Sequence, residues 1–139
     1  MTTKTIHIFT DGGARGNPGP AAMGGVLIDA ATGTVLDEFG IYLGETTNNQ
    51  AEYRALIEAL KRAKQHGATT VECFLDSELV VEQMTGRYKV KNGGLQSLFQ
   101  KAQHLAQQFE NVAFRHIPRE QNKQADALVN KALDERTAA

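Results

Sequence analysis

The chain has 139 residues, of which 41% are hydrophobic and 22% charged, and its net charge is −1. These values are typical of one globular domain over residues 1–139 that buries its core without disulfides, and they exclude disordered, collagen-like and membrane proteins. The N-terminus has no apolar stretch of signal-peptide length, and no segment approaches transmembrane length. We therefore expect a cytoplasmic monomer that does not bind membranes.

The cysteine and histidine content argues against a disulfide, a cysteine nucleophile and a zinc-finger site. Cys73 is the single cysteine, so an intramolecular disulfide is excluded. It lies in the apolar segment Val71–Leu75, which predicts a small buried hydrophobe and not a nucleophile. The four histidines are not accompanied by paired cysteines, which argues against a zinc site of the finger or ribbon type.

Three strands are predicted in the first third of the chain. Residues 4–11 alternate between apolar and polar side chains, and the pair Gly12-Gly13 ends that strand. The glycines and prolines of Gly12–Pro20 predict an irregular loop whose backbone amides face a ligand. Two further strands fit Ala22–Asp29 and Val35–Leu43, and the three strands together predict an antiparallel meander.

The rest of the chain alternates between helices and strands. An amphipathic helix is predicted from Asn49 to about His66-Gly67, because apolar residues recur there at the i, i+3, i+4, i+7 spacing. The later elements are a strand over Thr70–Leu75, helices over Ser77–Met84 and Leu95–Phe109, a strand over Val112–His116 and a helix over Gln124–Arg136. The order βββαβααβα predicts an α/β fold, and the longest later irregular stretch, Gly86–Gly94, is basic.

Four carboxylates stand at the end of a predicted strand or in the first turn of a predicted helix. They are Asp11, Glu52, Asp76 and Asp126. If the fold brings these element ends to one edge of the sheet, the carboxylates repel one another unless divalent cations neutralise them. The pattern therefore predicts a metal site. Bound cations would also leave the remaining charge mildly basic, which suits a nucleic-acid ligand despite the net charge of −1.

Each acid also has an ordinary structural explanation. Asp11 fits an Asp-Gly turn, although the loop that follows is too long for a two-residue hairpin. Glu52 fits the third position of a capping box that starts at Asn49, but it also lies on the buried stripe of the helix, where an unpaired carboxylate is costly. Asp76 fits a helix cap, and Asp126 fits the positive end of the last helix.

Polar residues near these acids suggest contacts with a substrate. The run Thr46–Gln50 offers donors and acceptors at a helix N-terminus, which suits phosphate or sugar hydroxyl groups, although one of the five would satisfy an ordinary cap. His116 and Arg119 precede Asp126 and are candidates for moving a proton and binding a phosphate; a strand-end histidine and a solvated arginine are the alternatives. The loop Gly12–Pro20 lacks a P-loop ending and dinucleotide-binding spacing, so a nucleotide cofactor is not expected.

Five segments together resemble ribonuclease H type 1. They are Ile8–Gly13, Gly16–Gly19, Thr47–Glu52, Asp76-Ser77 and Asn122–Asp126. The resemblance spans nearly the whole chain and implies a ribonuclease H-like fold, a five-stranded mixed sheet in the order 3-2-1-4-5 flanked by helices. It also implies that Asp11, Glu52, Asp76 and Asp126 are the catalytic, metal-binding acids.

The activity that this resemblance implies is hydrolysis of the RNA strand of an RNA/DNA hybrid, which leaves 5′-phosphate and 3′-hydroxyl ends. Two Mg²⁺ or Mn²⁺ ions about 4 Å apart would activate water and stabilise the departing 3′-oxygen. The alternative functions within the superfamily are those of another metal-dependent nuclease, such as a resolvase or a 3′ exonuclease. A non-catalytic hybrid-binding module is the alternative from another class.

The same resemblance implies a set of substrate contacts. Backbone at Gly12 and Gly13 and the side chains of Asn49 and Gln50 are expected to recognise the 2′-hydroxyl groups of RNA. The remaining expected contacts are with the DNA strand or elsewhere on the substrate, and they are Asn17, Thr47, Asn48 and Asn122.

Two departures from the best-known bacterial members stand out. In place of their lysine-rich protrusion the chain has Arg87, Lys89 and Lys91, which predicts fewer phosphate contacts. His116 has the spacing of their catalytic histidine, ten residues ahead of the last acid. The adjoining Ile117–Arg119 instead resembles a compact subgroup that uses an arginine, so Arg119 is our first candidate for the proton-transfer step and His116 the second.

Overall fold

A computed structural model describes residues 3–138 as one five-stranded sheet with helices on both faces. The strands are β1 (Thr5–Ala14), β2 (Gly19–Asp29), β3 (Val35–Thr46), β4 (Thr70–Leu75) and β5 (Asn111–His116). The helices are α1 (Asn48–Gln65), α2 (Glu78–Met84), α3 (Gly93–Ala106) and α4 (Lys123–Ala138), with a 3-10 turn at Arg119–Gln121. The strand order β3-β2-β1-β4-β5 confirms the predicted sheet.

The direction of the strands explains which ends meet. Strands β1, β2 and β3 are joined antiparallel, as the predicted meander requires. Strand β4 runs parallel to β1, and β5 runs parallel to β4. The carboxyl ends of β1, β4 and β5 therefore lie at the same edge of the sheet, where ligand sites of α/β sheets are usually found.

The main core lies between the sheet and helix α1. Ile6 and Ile8 of β1 pack in one cluster with Leu56 and Leu60 of α1, and all four are fully buried. Burial of each such side chain stabilises the fold by about 1.5–3 kcal/mol, so this layer fixes α1 on the sheet. Cys73 belongs to the same cluster, and burial raises the pKa of its thiol, which confirms a hydrophobic role.

A smaller cluster holds α4 on the other face. Val129 and Leu133 of α4 pack with Ala22 of β2, whereas the next residue, Met23, belongs to the main core. Successive side chains of a strand point to opposite faces, so the two clusters lie on opposite sides of the sheet. Helices α1 and α4 thus enclose the central strands between them.

The predicted loop Gly12–Pro20 is shorter in the structure. Strand β1 continues to Ala14 and β2 begins at Gly19, so residues 15–18 alone connect them. Gly12 pairs with Met23, and Gly13 with Ala22. The prediction of an irregular loop is confirmed for residues 15–18 and was wrong for the residues on either side of them. Glycines there allow close packing of an extended strand, a tertiary effect that outweighs their low strand propensity.

Two helix caps also shift the predicted boundaries. Helix α1 begins at Asn48 because the side chain of Thr47 accepts a hydrogen bond from Gln50 N at 3.2 Å. Helix α2 begins at Glu78 because the side chain of Ser77 accepts one from Val80 N at 3.3 Å. Both are ordinary N-caps, which satisfy an amide that the helix leaves unpaired.

The segment between α2 and α3 contains no helix over its residues 85–92. This agrees with the predicted absence of a protruding helix, and it places Arg87, Lys89 and Lys91 on an irregular connection. Of the helices in residues 3–138, none is sufficiently long and apolar to span a membrane.

We expect Gly24→Ala to destabilise the protein by about 1–3 kcal/mol. A Cβ atom at Gly24 would lie 2.6 Å from the carbonyl oxygen of Ala125, so α4 must move away from β2. Gly93→Ala is the matched control, because a Cβ there meets no atom of the described residues within 4 Å and alanine favours the helix. Urea denaturation measures both, and equal stability of the two variants would contradict the close packing of α4.

Candidate active site

Four carboxylates meet at the edge where β1 and β4 end. Asp11 lies in β1, Glu52 in α1 and Asp76 directly after β4, and one carboxylate oxygen of each lies within 4.8 Å of the others. Asp126 lies in the first turn of α4 and lines the same cavity, of about 470 Å³. The structure therefore brings three of the predicted acids into one cluster and places the fourth on its cavity.

The position of Glu52 is set by a contact between α1 and β1. The backbone N–H of Gly12 donates to Glu52 Oε1 at 3.1 Å, and the Glu52 side chain is only 7% exposed. Its other oxygen, Oε2, is buried and has no hydrogen-bond partner among residues 3–138. Because Thr47 caps the helix, Glu52 is not the third residue of a capping box, and that alternative is wrong.

The ordinary structural roles considered for the other acids are not observed for Asp76 and Asp11, but the role at a helix N-terminus is observed for Asp126. Ser77, and not Asp76, caps α2, so the carboxylate of Asp76 is not required as a cap. Asp11 lies inside a strand and pairs with Gly24, so the Asp-Gly turn is wrong. Asp126 does lie in the first turn of α4, where a negative charge is favourable, and it also accepts a hydrogen bond from Asn130 Nδ2 at 3.4 Å.

The pKa values of two of the clustered carboxylates, Asp11 and Glu52, are raised. Burial, followed by the charge of Asp76, raises the pKa of Asp11 from 3.8 to about 7. Burial and the nearby charge of Asp11 raise the pKa of Glu52 well above its ordinary value. Both shifts have the cause expected where like charges are brought together away from water.

The cluster fits divalent cations. Its donors are carboxylate oxygens, the ligands that Mg²⁺ and Mn²⁺ prefer. The buried Oε2 of Glu52 is an acceptor that the described protein atoms leave unsatisfied, and a buried acceptor of this kind is costly without a partner. A cation would satisfy this oxygen and remove the repulsion among the acids.

The two proton-transfer candidates lie in different surroundings. Arg119 opens the 3-10 turn and lines the cavity together with Asp11, Asp76 and Asp126. His116 is the last residue of β5, is exposed and pairs in register with Leu75; it is not among the residues that line the cavity. The geometry therefore favours Arg119.

All of the predicted substrate residues except Asn122 lie along two cavities. Gly12, Gly13, Asn48 and Asn49 line the cavity of the acids. A second cavity, of about 260 Å³, is lined by Asn17, Thr47, Asn49, Gln50, Asn92 and Leu95. Asn49 lines both, so the two cavities adjoin at the start of α1.

Two asparagines near these cavities accept hydrogen bonds from backbone amides of the protein. Asn48 Oδ1 accepts a hydrogen bond from Ala14 N at 2.7 Å, and Asn17 Oδ1 accepts one from Asn48 N at 3.1 Å. The end of β1, the connection after it and the start of α1 are therefore tied together. This network gives the mouth of the active site a fixed shape.

Asn122 is 1% exposed, and its Nδ2 donates to the carbonyl oxygen of Thr10 at 2.8 Å. In this conformation it offers almost no surface to a ligand. Its contact with a substrate stays a prediction, and its observed contact joins the start of α4 to the end of β1.

Sequence reasoning missed several residues at these cavities, among them Arg15, Asn92 and Asn130. Arg15 and Asn130 line the cavity of the acids, and Asn92 lines the second one. Asn92 caps α3 by accepting a hydrogen bond from Gly94 N at 2.7 Å, and an asparagine before a predicted helix is a signal that could have found the cap. Asn130 lies four residues after Asp126 on α4, a helical spacing that could have found it. The contact of Arg15 with α4 depends on tertiary structure.

Curated relatives match most of this chain. A family model described as reverse transcriptase-like matches residues 9–132. "Bifunctional protein Rv2228c" of Mycobacterium tuberculosis is 50% identical over 93% of this chain, which spans 35% of that protein. "Ribonuclease HI" of Halobacterium salinarum is 43% identical over 94% of this chain, which spans 65% of that protein. "Ribonuclease H" of Rhizobium meliloti is 33% identical, with 94% of this chain and 92% of that protein covered.

Solved structures share the fold. The N-terminal RNase H domain of Rv2228c, solved as a fusion with maltose-binding protein, has a TM-score of 0.94 and 47% identity over 99% of this chain and 100% of its own. LC11-RNase H1 in complex with an RNA/DNA hybrid has a TM-score of 0.89 and 50% identity over 95% of this chain and 99% of its own. The sheet and helices are thus those of the ribonuclease H fold. The chain belongs to the ribonuclease H family.

Without divalent cations, we expect the free energy of unfolding to fall as the pH rises from about 4 to about 7. The folded-state pKa of Asp11 is raised from 3.8 to about 7, so folding favours the protonated acid; this stability is complete below the unfolded pKa and is lost as the pH passes the folded one. Asp11→Asn should reduce the fall by about 1 kcal/mol or more.

The measurement is urea denaturation in a chelating buffer at several pH values. Glu45→Gln, which removes an exposed carboxylate from β3, is the control and should keep the slope of the unmodified protein. Added Mg²⁺ should stabilise the unmodified protein most at the upper end of this range, because the cation binds the deprotonated acids. A stability that does not change between these pH values would contradict the crowding of the acids.

Proposed function

We propose that the protein is an endonuclease that hydrolyses the RNA strand of RNA/DNA hybrids. The observation that carries this proposal is the cluster of Asp11, Glu52 and Asp76, whose carboxylate oxygens lie within 4.8 Å of one another on an open cavity. The relatives named ribonuclease H and the solved complex of LC11-RNase H1 with a hybrid support the choice of substrate. In the reaction, water attacks the scissile phosphorus and the bond to the 3′-oxygen breaks, which gives 5′-phosphate and 3′-hydroxyl ends.

We propose two Mg²⁺ or Mn²⁺ ions as the cofactors, held by Asp11, Glu52, Asp76 and Asp126. When bound, such ions lower the pKa of water and stabilise negative charge on the attacking and departing oxygens. The protein's own contribution is to hold the four carboxylates on separate, rigidly packed elements. Glu52 is fixed by the amide of Gly12, and Asp126 is contacted by Asn130.

Arg119 is the proposed residue for the departing oxygen. A guanidinium group keeps its protons at neutral pH, so it donates a hydrogen bond to the 3′-oxygen and stabilises its charge while solvent supplies the proton. Its position on the cavity supports this role. His116 is the second candidate, and an imidazole there would transfer the proton itself.

Recognition of the hybrid is proposed to use both cavities. Gly12, Gly13, Asn49 and Gln50 contact 2′-hydroxyl groups of the RNA strand, which distinguish RNA from DNA. The remaining contacts are proposed with the DNA strand. They involve Asn17, Thr47 and Asn92, which line the second cavity, and Asn48, which lines the cavity of the acids. Hydroxyl and amide donors near the N-terminus of α1 suit a phosphate oxygen. A cytoplasmic location and a monomeric state stay predictions from the sequence.

The purified protein should cut the RNA strand of a labelled RNA/DNA hybrid in the presence of Mg²⁺ and leave the matching DNA duplex intact. Asp76→Asn should lower the rate at least about 100-fold, because it removes one of the clustered ligands. Gel electrophoresis of end-labelled strands measures the rate and identifies the new ends.

Folding of the Asp76→Asn variant is checked by its circular dichroism spectrum and melting temperature. Equal cutting of the hybrid and the DNA duplex would contradict the proposed substrate. Tight binding of the hybrid without any cleavage would identify a binding module in place of an enzyme.

Arg119→Ala should lower kcat about 100- to 1000-fold, the range for loss of a donor to a developing charge, and His116→Ala should change it less than about twofold. The pH profile of kcat separates the two roles. A limb that disappears in His116→Ala and is kept in Arg119→Ala would assign proton transfer to the histidine and contradict our choice. Arg119→Lys, which keeps the charge and loses the planar fork, is the conservative variant and should recover part of the rate.

A further inference from the structure

A positively charged residue that the predicted site does not include, Arg15, lines the cavity of the acids. Arg15 is the first residue after β1, and its side chain lines this cavity together with Asp11, Asp126 and Asn130. The segment Gly86–Gly94 connects α2 to α3, where better-known relatives carry their basic protrusion. It has only three basic side chains, and residues 85–92 are not helical. A phosphate contact next to the active site would therefore have a large effect on hybrid binding.

The backbone of Arg15 is held while its side chain remains accessible. The N–H of Arg15 donates to the carbonyl oxygen of Pro20 at 2.8 Å, and the preceding Ala14 is tied to Asn48. The Arg15 side chain is 46% exposed. A guanidinium group on a fixed backbone is well suited to bind phosphate, because its planar fork of donors matches two phosphate oxygens.

In the absence of substrate this group is paired with an acid of α4. Arg15 Nη2 lies 2.7 Å from Asp134 Oδ1, and the Asp134 side chain is 67% exposed. An exposed ion pair of this kind contributes about 0–1 kcal/mol, so a phosphate can replace the carboxylate at little cost. Asp134 follows Asp126 by eight residues, about 12 Å along the helix axis, so this position suits a phosphate other than the scissile one.

We propose that Arg15 is a substrate-binding residue that exchanges Asp134 for a backbone phosphate of the hybrid. Asp134 is then a competing anion: it occupies the guanidinium group in the free protein and lowers the affinity for nucleic acid. The inference rests on the proposed hybrid substrate and adds a contact that the resemblance does not supply.

Arg15→Gln should raise KM for the hybrid about three- to tenfold with kcat unchanged, and the slope of log affinity against log salt should become shallower by about 1, as expected for the loss of one phosphate contact. Asp134→Asn should lower KM about two- to threefold, because Arg15 no longer has its internal competitor. Binding is measured by fluorescence anisotropy of a labelled RNA/DNA hybrid in the Asp76→Asn background, which prevents cleavage.

Lys131 and Glu135 provide matched controls on the same helix. They form an exposed pair at 3.9 Å, and neither lines the cavity. Lys131→Gln and Glu135→Gln make the same changes of charge as the two test variants, and each should leave KM and the salt slope unchanged. Adding Asp134→Asn to Arg15→Gln should have no further effect, because the competition requires the arginine.

The possible failures are distinguishable. If the unmodified protein does not cut the hybrid, the proposed function fails and this inference fails with it. If it cuts the hybrid but Arg15→Gln only lowers the melting temperature and leaves KM and the salt slope unchanged, the pair is structural and this inference alone is overturned. An equal gain of affinity in Asp134→Asn and Glu135→Gln would show a general charge effect and would also overturn it.

Discussion

The close contact between β1 and α1 at Gly12 is the constraint on which the active site depends. A Cβ atom at this position would lie 2.3 Å from the carbonyl carbon of Ala51, so a residue other than glycine would force the strand and the helix apart. The same approach brings the amide of Gly12 within 3.1 Å of Glu52 Oε1. Because Asp11 precedes Gly12 and Glu52 follows Ala51, this one contact sets the separation of two of the clustered carboxylates. The parallel pairing of β4 with β1 then adds Asp76 at the same edge.

The stability of the site comes from elsewhere in the fold. Helix α1 buries Leu56 and Leu60 in the main core, and Glu52 lies one and two turns earlier on the same stripe. The apolar part of the helix therefore offsets the cost of holding a carboxylate close to Asp11, a cost that is visible in the raised pKa of both acids. Local rules of sequence are expected to fail at functional sites in this way, because the site is selected for its chemistry and the core supplies the stability.

The sequence was a good guide to the elements and the acids, and a poorer guide to contacts made across the fold. Apolar periodicity is a local property, so the strands, the helices and the unusual position of Glu52 on a buried stripe could be predicted. The extension of β1 through Gly12 could not, because it depends on the distance to Ala51. The starts of α1 and α2 differ from the prediction by one residue, because the side chains of Thr47 and Ser77 accept the hydrogen bonds that set them. Arg15 was missed because its partner on α4 is distant along the chain.

The fourth acid is positioned by a different kind of interaction from the first three. Asn122 donates from its side-chain Nδ2 to the carbonyl oxygen of Thr10, and its backbone carbonyl oxygen accepts from Asp126 N at 3.1 Å. Its N–H donates to the carbonyl oxygen of Arg119 at 2.9 Å. Asn122 thus links the strand that carries Asp11 through its side chain, and the last acid and the cavity arginine through its backbone. Hydrogen bonds depend strongly on geometry, and a buried carbonyl left without its donor costs about 1–3 kcal/mol, so the side-chain bond to Thr10 holds the segment that carries Arg119 and Asp126 against the end of β1.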